Sequence, residues 1–258
     1  MVRILMPNHL DKVELLAESG RIRDLEVDWG ADLAESVGLC RRYPDIRPVL
    51  GQLLLGPQQS KLIDALVGPS GNRGGQPLRI QWGWGELQEF DGDWSGTGFE
   101  MRFKTSMMRG GVSSGHAAFV CGAMDEMISN AQEHSRADCF AVATYEVTKS
   151  FWMFSVTDFG IGIPDRIREN RRHRGLKDLD AISAALEHGV STYQEEERGM
   201  GYSQVFRALA DRAARLRIRS GCGLLEWEGF VNGVGEQQLS PKPRRGGTHV
   251  RAAAKLPL

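Results

Sequence analysis

A predicted helix followed by three glycine-rich turns constrains this chain more than any other feature of its sequence. Residues 119–135 combine good helix formers with apolar residues at helical spacing, which predicts one helix. Glu126 and Asn130 are four residues apart and therefore lie on the same face of that helix. On a soluble protein such a pair is usually part of a solvated surface. The three turns further along the chain give it functional weight.

The first of these turns follows a predicted hairpin. Residues 141–149 and 150–157 predict two strands of that hairpin, and Asp158 comes directly after the second. At the end of a strand the Asp158 side chain projects into a turn rather than into the sheet. Gly160 and Gly162 permit positive φ or a close approach of the backbone to a ligand. An Asp-x-Gly-x-Gly turn after a strand is common on its own. Its position one hairpin after the predicted helix is what indicates a functional site.

The second and third turns precede the last predicted helix and the last predicted strand. Arg198 comes before Gly199 and Gly201, which lead into a predicted helix over residues 202–215. Glycines at a helix N-terminus expose backbone N–H groups and the positive end of the helix dipole, which suits a phosphate group. Thr248 follows a pair of glycines and begins the final strand.

Composition excludes several classes of protein. The chain has 258 residues, 41% of them hydrophobic and 25% charged, which allows one large domain or one domain with an appendage. The net charge of -1 gives no overall basic field for nucleic acid or an anionic membrane, so neither is expected as a partner. The four cysteines are widely spaced and predict neither a zinc site nor a disulfide framework. Without a signal peptide or a segment of transmembrane length, we expect a cytoplasmic protein.

Residues 1–85 predict a mainly helical N-terminal region whose role the sequence does not indicate. The turn residues at 68–77 are typical of a linker, because no Gly-Lys-Ser/Thr sequence completes a phosphate-binding loop there. The elements expected in and after this region are a strand at 2–6, helices at 33–43 and 46–66, and strands at 78–84 and 99–105.

A long polar segment follows the first glycine turn. Residues 163–199 are polar and rich in arginine, as expected of a mobile lid over a site. Arginines between 166 and 174 are ordinarily a solvated helix face, and contact with an anionic ligand or an acidic partner is the alternative. The remaining expected elements are a helix at 179–188, strands at 215–220, 224–231 and 248–256, and a loop at 232–247.

Together, the helix and the three turns resemble the GHKL superfamily of ATPases. This superfamily includes type II topoisomerases, the mismatch-repair MutL proteins, histidine kinases and anti-sigma-factor serine kinases. The resemblance covers roughly residues 99–258. It implies an α/β sandwich of the α+β kind: a mixed, mostly antiparallel sheet with helices on one face and ATP between them. On this reading residues 86–258 form the ATP-binding domain.

The resemblance assigns a role to each motif residue. Glu126 matches the general base, and Asn130 matches the ligand of a Mg²⁺ ion that bridges the phosphates. Asp158 matches the carboxylate that accepts a hydrogen bond from the adenine amino group, with Thr248 supporting the same pocket. The residues matched to the purine and phosphate contacts are Gly160, Gly162, Arg198, Gly199 and Gly201.

At two positions the sequence departs from the pattern of histidine kinases, which narrows the choice among members of the superfamily. Histidine kinases typically have Asn at the position of Glu126 and a basic residue at that of Glu133, so a sensor histidine kinase is disfavoured. Asn130, Ala131 and His134 look more like the anti-sigma serine kinases. The implied function is hydrolysis of Mg-ATP, or phosphorylation of a Ser or Thr on a protein partner, by analogy a STAS-like one. The alternative is a nucleotide-gated interaction module without significant turnover, and a homodimer is left open.

Overall fold

The structure is a computed structural model. It describes residues 2–4, 25–27, 76–80, 83–90, 97–134, 141–147, 151–186, 209, 214–229 and 236–256. The expected helices at 33–43 and 46–66 and most of the linker expected at 68–77 lie outside these residues, whereas Gln76 and Pro77 begin a strand instead of ending a linker.

A six-stranded antiparallel sheet is the centre of the described structure. Its strands are β3 (Gln76–Ile80), β4 (Gly83–Phe90), β5 (Ala141–Val147), β6 (Phe151–Asp158), β7 (Ala214–Gly229) and β8 (Glu236–Lys255). Their order is β3-β4-β5-β6-β8-β7, and every neighbouring pair is antiparallel. Two short strands, β1 (Val2–Ile4) and β2 (Leu25–Val27), pair in parallel as a separate sheet. The expected strand at 2–6 is therefore present in part.

Four helices accompany the sheet in the described part of the chain, which is therefore of the α+β class. The helices are α1 (Thr97–Arg109), α2 (Ser114–His134), α3 (Gly162–Glu169) and α4 (Asp178–Leu186), with a 3-10 turn at Arg171–His173. The first helix packs on β4 and β5, and the second on β5 and β6. The third and fourth pack on β7 and β8.

The core lies between the helices and the sheet. Phe103 of α1 stacks on Tyr145 of β5 with ring centroids 4.8 Å apart, and it meets Phe154 of β6 edge-on at 6.3 Å. Burying an aromatic or aliphatic side chain of this size contributes about 1.5–3 kcal/mol. These contacts hold α1 and, through it, α2 against the strands that precede Asp158.

The helix predicted at 119–135 is confirmed and begins earlier, at Ser114. Ser113 explains this start, because its hydroxyl accepts a hydrogen bond from the N–H of His116 at 3.3 Å, as an N-cap does. The predicted hairpin is also confirmed as β5 and β6, and β6 ends at Asp158. The helix expected at 179–188 is present as α4.

The strand predicted at 99–105 is wrong, because these residues belong to helix α1. Phe99, Phe103 and Met107 are buried, which is the spacing of a helix face. Met101 would share a strand face with both phenylalanines, yet it is 61% exposed. The alternation of large apolar and polar residues at 99–103 therefore matches a strand by coincidence.

The strand expected at 78–84 is two strands, since β3 ends at Ile80 and β4 begins at Gly83. Both belong to the six-stranded sheet, which begins at Gln76. The boundary expected between residues 85 and 86 consequently falls inside β4.

The three closing strands are in fact two long ones, and the loop expected at 232–247 is largely strand. Strand β8 includes residues 236–247, which pair with the outer part of β7. The register shifts between Ser220 and Gly223 of β7, and Gly221 has a φ of +53° there. A bulge of this kind breaks the alternation of the sequence without ending the strand. Among the described residues, no helix is both long and apolar enough to cross a membrane.

Candidate functional site

A buried carboxyl group lies at the end of β6. Asp158 is 9% exposed, and its Oδ1 accepts a hydrogen bond from the N–H of Gly160 at 2.9 Å. The N–H of Thr248 donates a second hydrogen bond to the same carboxyl group. Burial raises the pKa of Asp158 to about 7, although these two N–H groups and Arg245 favour the ionised form. The group is thus an acceptor whose charge changes near neutral pH.

Two glycines close the turn around this carboxyl group. Gly162 has a φ of +79° and Gly247 a φ of +76°, a region that other residues rarely adopt. A Cβ atom at Gly162 would lie 2.8 Å from the carbonyl oxygen of Gly247. The loop after β6 and the middle of β8 therefore pack main chain against main chain.

Ser220 of β7 joins the same loop and strand. Its fully buried hydroxyl accepts a hydrogen bond from the N–H of Ile163 at 2.9 Å. It donates to the carbonyl oxygen of Gly247 at 2.9 Å and lies 3.1 Å from the hydroxyl oxygen of Thr248. One side chain thus holds the start of α3 and the turn of β8 in fixed positions beside Asp158.

Glu126 and Asn130 are both half-buried on α2. Burial raises the pKa of Glu126, and the nearby carboxylates Asp125 and Glu133 raise it further. Helix α2 packs on β6, and residues 135–140 connect its end to Ala141, which pairs with Asp158. The chain thus leads from the C-terminus of α2 to the end of β5 that pairs with Asp158.

Six of the predicted site residues form a contiguous group or lie on the helix that leads to it. Gly160 and Thr248 donate to the Asp158 carboxyl group, and Gly162 packs on Gly247 beside it, whereas Glu126 and Asn130 lie on α2. Arg198, Gly199 and Gly201 are outside the described residues. Of the helix predicted at 202–215, only the buried Leu209 is described as helical, and residues 214 and 215 begin β7.

The described half of the predicted lid is helical and packed on the sheet. Ile163 and Ile167 of α3 and Ala181 and Ile182 of α4 are buried in the core. The lid itself stays a prediction for residues 187–199. The described part of the predicted lid extends to Leu186, the last residue of α4.

Some of the arginines in this segment are engaged by carboxylates. Arg168 pairs with Asp165 at 2.8 Å and with Asp178, and Arg166 pairs with Glu169. Asp165 also accepts a hydrogen bond from Arg244 of β8 at 2.6 Å. These pairs fasten α3 and α4 to each other and to the sheet. Contact of Arg171, Arg172 and Arg174 with an anionic ligand or an acidic partner stays a prediction.

Within the residues that the structure describes, no three His, Cys, Asp or Glu side chains form a cluster that could hold a metal ion.

Sequence reasoning missed Ser220 and Arg245. Ser220 precedes a glycine inside a strand pattern, and such a glycine is a signal of a bulge. Arg245 precedes the pair of glycines before Thr248, and it is almost fully buried. Neither carries a motif of its own, and both join the site only through the pairing of β7 with β8.

Comparisons with known proteins add little to this geometry. No protein-family model matches the chain, and no curated protein matches its sequence. One solved structure, described as the N-terminal domain of a DNA repair protein, is similar over 40% of this chain and 27% of its own. Its sequence identity is 17% and its TM-score 0.20, values at which the likeness carries no argument.

Proposed function

We propose that this chain is a Mg-ATP-binding protein of the GHKL type that acts as a regulatory switch. The observation that carries the proposal is the buried Asp158 at the end of β6, with the main chain of Gly247 packed against it, on a strand against which the helix bearing Glu126 and Asn130 packs. A six-stranded antiparallel sheet with helices packed on it is compatible with the sandwich that the GHKL resemblance implies.

The chemistry of the pocket suits an adenine base. Gly160 and Thr248 each donate an N–H group to the Asp158 carboxyl group. These hydrogen bonds fix its orientation, and a carboxylate has further lone pairs that can accept from an amino group. Because burial raises the pKa of Asp158 to about 7, a bound amino group would favour the ionised form and release a proton near neutral pH.

The residues of α2 suit the phosphate end of the nucleotide. The amide oxygen of Asn130 is a hard ligand appropriate to Mg²⁺, and the phosphates and water would complete the coordination. A raised pKa makes Glu126 a stronger base for a water or hydroxyl proton than an ordinary carboxylate. The proposed acceptor of the phosphoryl group is water or a Ser or Thr of a protein partner in the cytoplasm, with a STAS-like protein as the analogue.

Separate measurements of Mg-ATP binding and of turnover test the general-base role of Glu126. In Glu126→Gln we expect Mg-ATP binding to persist while turnover falls by at least about a hundredfold, the scale of a lost general base. Asp180→Asn, which alters an exposed carboxylate on α4, is the control and should keep its turnover. Unchanged turnover in Glu126→Gln would remove the base role. Binding by the wild type without turnover would instead favour the interaction module.

A further inference from the structure

The hydroxyl group of Ser220 has no remaining freedom in its hydrogen bonding. A serine hydroxyl has one proton to donate and two lone pairs to accept with. The carbonyl oxygen of Gly247 can only accept, so the Ser220 proton points to it. The N–H of Ile163 can only donate, so it occupies one lone pair of Ser220.

The third contact of Ser220 therefore has a fixed direction. Ser220 and Thr248 have hydroxyl oxygens 3.1 Å apart, and either could be the donor if the pair were isolated. With the Ser220 proton committed to Gly247, Thr248 must donate its own proton to Ser220. The Thr248 oxygen is left with lone pairs only, so toward a ligand it is a hydrogen-bond acceptor.

Thr248 lies directly beside a second acceptor. Its main-chain N–H donates to the Asp158 carboxyl group, which also accepts from Gly160. An ionised carboxyl group and an acceptor-only hydroxyl on two residues joined by a hydrogen bond favour a ligand that donates twice. An amino group does so, whereas a carbonyl oxygen at the same place would face two acceptors.

We propose that Ser220 is a positioning residue that makes the pocket selective for a purine with an exocyclic amino group, by fixing the Thr248 hydroxyl as an acceptor. This inference rests on the proposed nucleotide-binding function and adds to it the residue that sets base preference. Ser220 itself is fully buried and acts on a ligand only through Thr248.

Inosine triphosphate is the probe that isolates this effect, because it carries a carbonyl oxygen in place of the amino group of ATP. In the wild type we expect ATP to bind more tightly than inosine triphosphate. In Ser220→Ala the Thr248 hydroxyl can rotate and donate to a carbonyl oxygen. The preference for ATP, as the ratio of the two Kd values, should then fall by about tenfold.

A purely structural role for Ser220 would weaken both ligands equally and leave the ratio unchanged, and that result would overturn the inference. Ser155→Ala is the matched control, since it removes another fully buried hydroxyl from strand β6, which β8 separates from β7. It should leave the ratio unchanged. If thermal unfolding shows that Ser220→Ala does not fold, Ser220→Cys keeps the side-chain volume and should still reduce the ratio.

Thr248→Val provides an independent check, because it removes the hydroxyl and keeps the side-chain shape. It should reduce the ratio as Ser220→Ala does, and the double variant should show no further reduction. Additive losses would contradict action through Thr248. Failure of the wild type to bind either nucleotide would refute the proposed function itself, and is distinct from binding with an unchanged ratio in the variants.

Discussion

Gly247 lies so close to Asp158 that a Cβ atom at Gly247 would fall 2.7 Å from the carbonyl carbon of Asp158 and closer still to its oxygen. Because the obstacle is main chain, no side-chain rotation can relieve the overlap. Gly247 also has a φ of +76°, so its conformation excludes other residues independently of the available space. The main-chain packing around Asp158 thus depends on the absence of a side chain at Gly247.

Gly247→Ala should destabilise the protein and weaken nucleotide binding. The left-handed conformation alone costs about 1–2 kcal/mol for a residue with a Cβ atom, and the overlap with Asp158 adds to this cost. Urea denaturation measures the change in the free energy of unfolding. Gly115→Ala is the control, because a Cβ atom there meets nothing within 4 Å and the residue is helical. Gly115→Ala should leave the free energy of unfolding unchanged or raise it by about 0.5–1 kcal/mol. Equal losses of unfolding free energy in both variants would contradict the role of Gly247.

The pKa of Asp158 predicts a specific dependence of stability on pH. Burial raises this pKa from its ordinary value of 3.8 to about 7 in the folded chain, so the folded state binds the proton more tightly than the unfolded state. The associated stability is fully present below about pH 4 and is lost as the pH rises to about 7. Asp158→Asn removes the titration, so its free energy of unfolding should fall less steeply than that of the wild type in this range. Parallel curves for the two proteins would show that Asp158 titrates normally.

Glu133 should influence the pH dependence of turnover through Glu126. Burial and the charges of Asp125 and Glu133 raise the pKa of Glu126, so removal of one of these charges lowers it. In Glu133→Gln we expect the acid limb of the turnover profile to move to lower pH. Glu236→Gln removes an exposed negative charge from β8 and is the control. An acid limb that does not move, or that moves equally in the control, would contradict the role of Glu126.

Asp178 should be important for attaching α3 and α4 to the sheet. Burial opposes the ionisation of Asp178. Two contacts outweigh it and hold the pKa of Asp178 below the usual range: a hydrogen bond from the N–H of Cys222 at 2.6 Å, and the guanidinium group of Arg168. Asp178→Asn should therefore lower the free energy of unfolding at neutral pH by about 1.5–3 kcal/mol, with the difference shrinking as the pH falls through the acid range. Asp180→Asn changes an exposed aspartate in the same helix turn, and urea denaturation should show little effect. Similar losses of unfolding free energy in both variants would contradict a stabilising role for the contacts of Asp178.

Features with a local cause were predictable from the sequence. Helix α2 has apolar residues at helical spacing, and the hairpin of β5 and β6 consists of two adjacent apolar runs, so both were expected. The sequence predicts a strand where the structure has helix α1. Phe99, Met101 and Phe103 have the spacing of a strand face. Phe99, Phe103 and Met107 have the spacing of a helix face, and the sequence fits both. Only the exposure of Met101, which depends on tertiary packing, decides between them.

The less predictable parts of the site depend on contacts between distant segments. Ser220 reaches Ile163 and Thr248 only because β7 pairs with β8 in the observed register and α3 packs on both. The bulge near Gly221 also hides the continuity of β7, since it interrupts the alternation from which a strand is recognised. Asp158 could be identified from its position after β6, whereas its raised pKa could not, because burial is a property of the folded chain.

Calorimetric titration of Mg-ATP into the full chain tests the central claim most directly. The wild type should bind Mg-ATP, and Asp158→Asn should lose binding, because an amide group in place of the carboxylate supplies a weaker acceptor for the adenine amino group. Asp180→Asn should bind as the wild type does. Equal affinity of the wild type and Asp158→Asn for Mg-ATP would contradict the assignment of Asp158 as the adenine-binding residue.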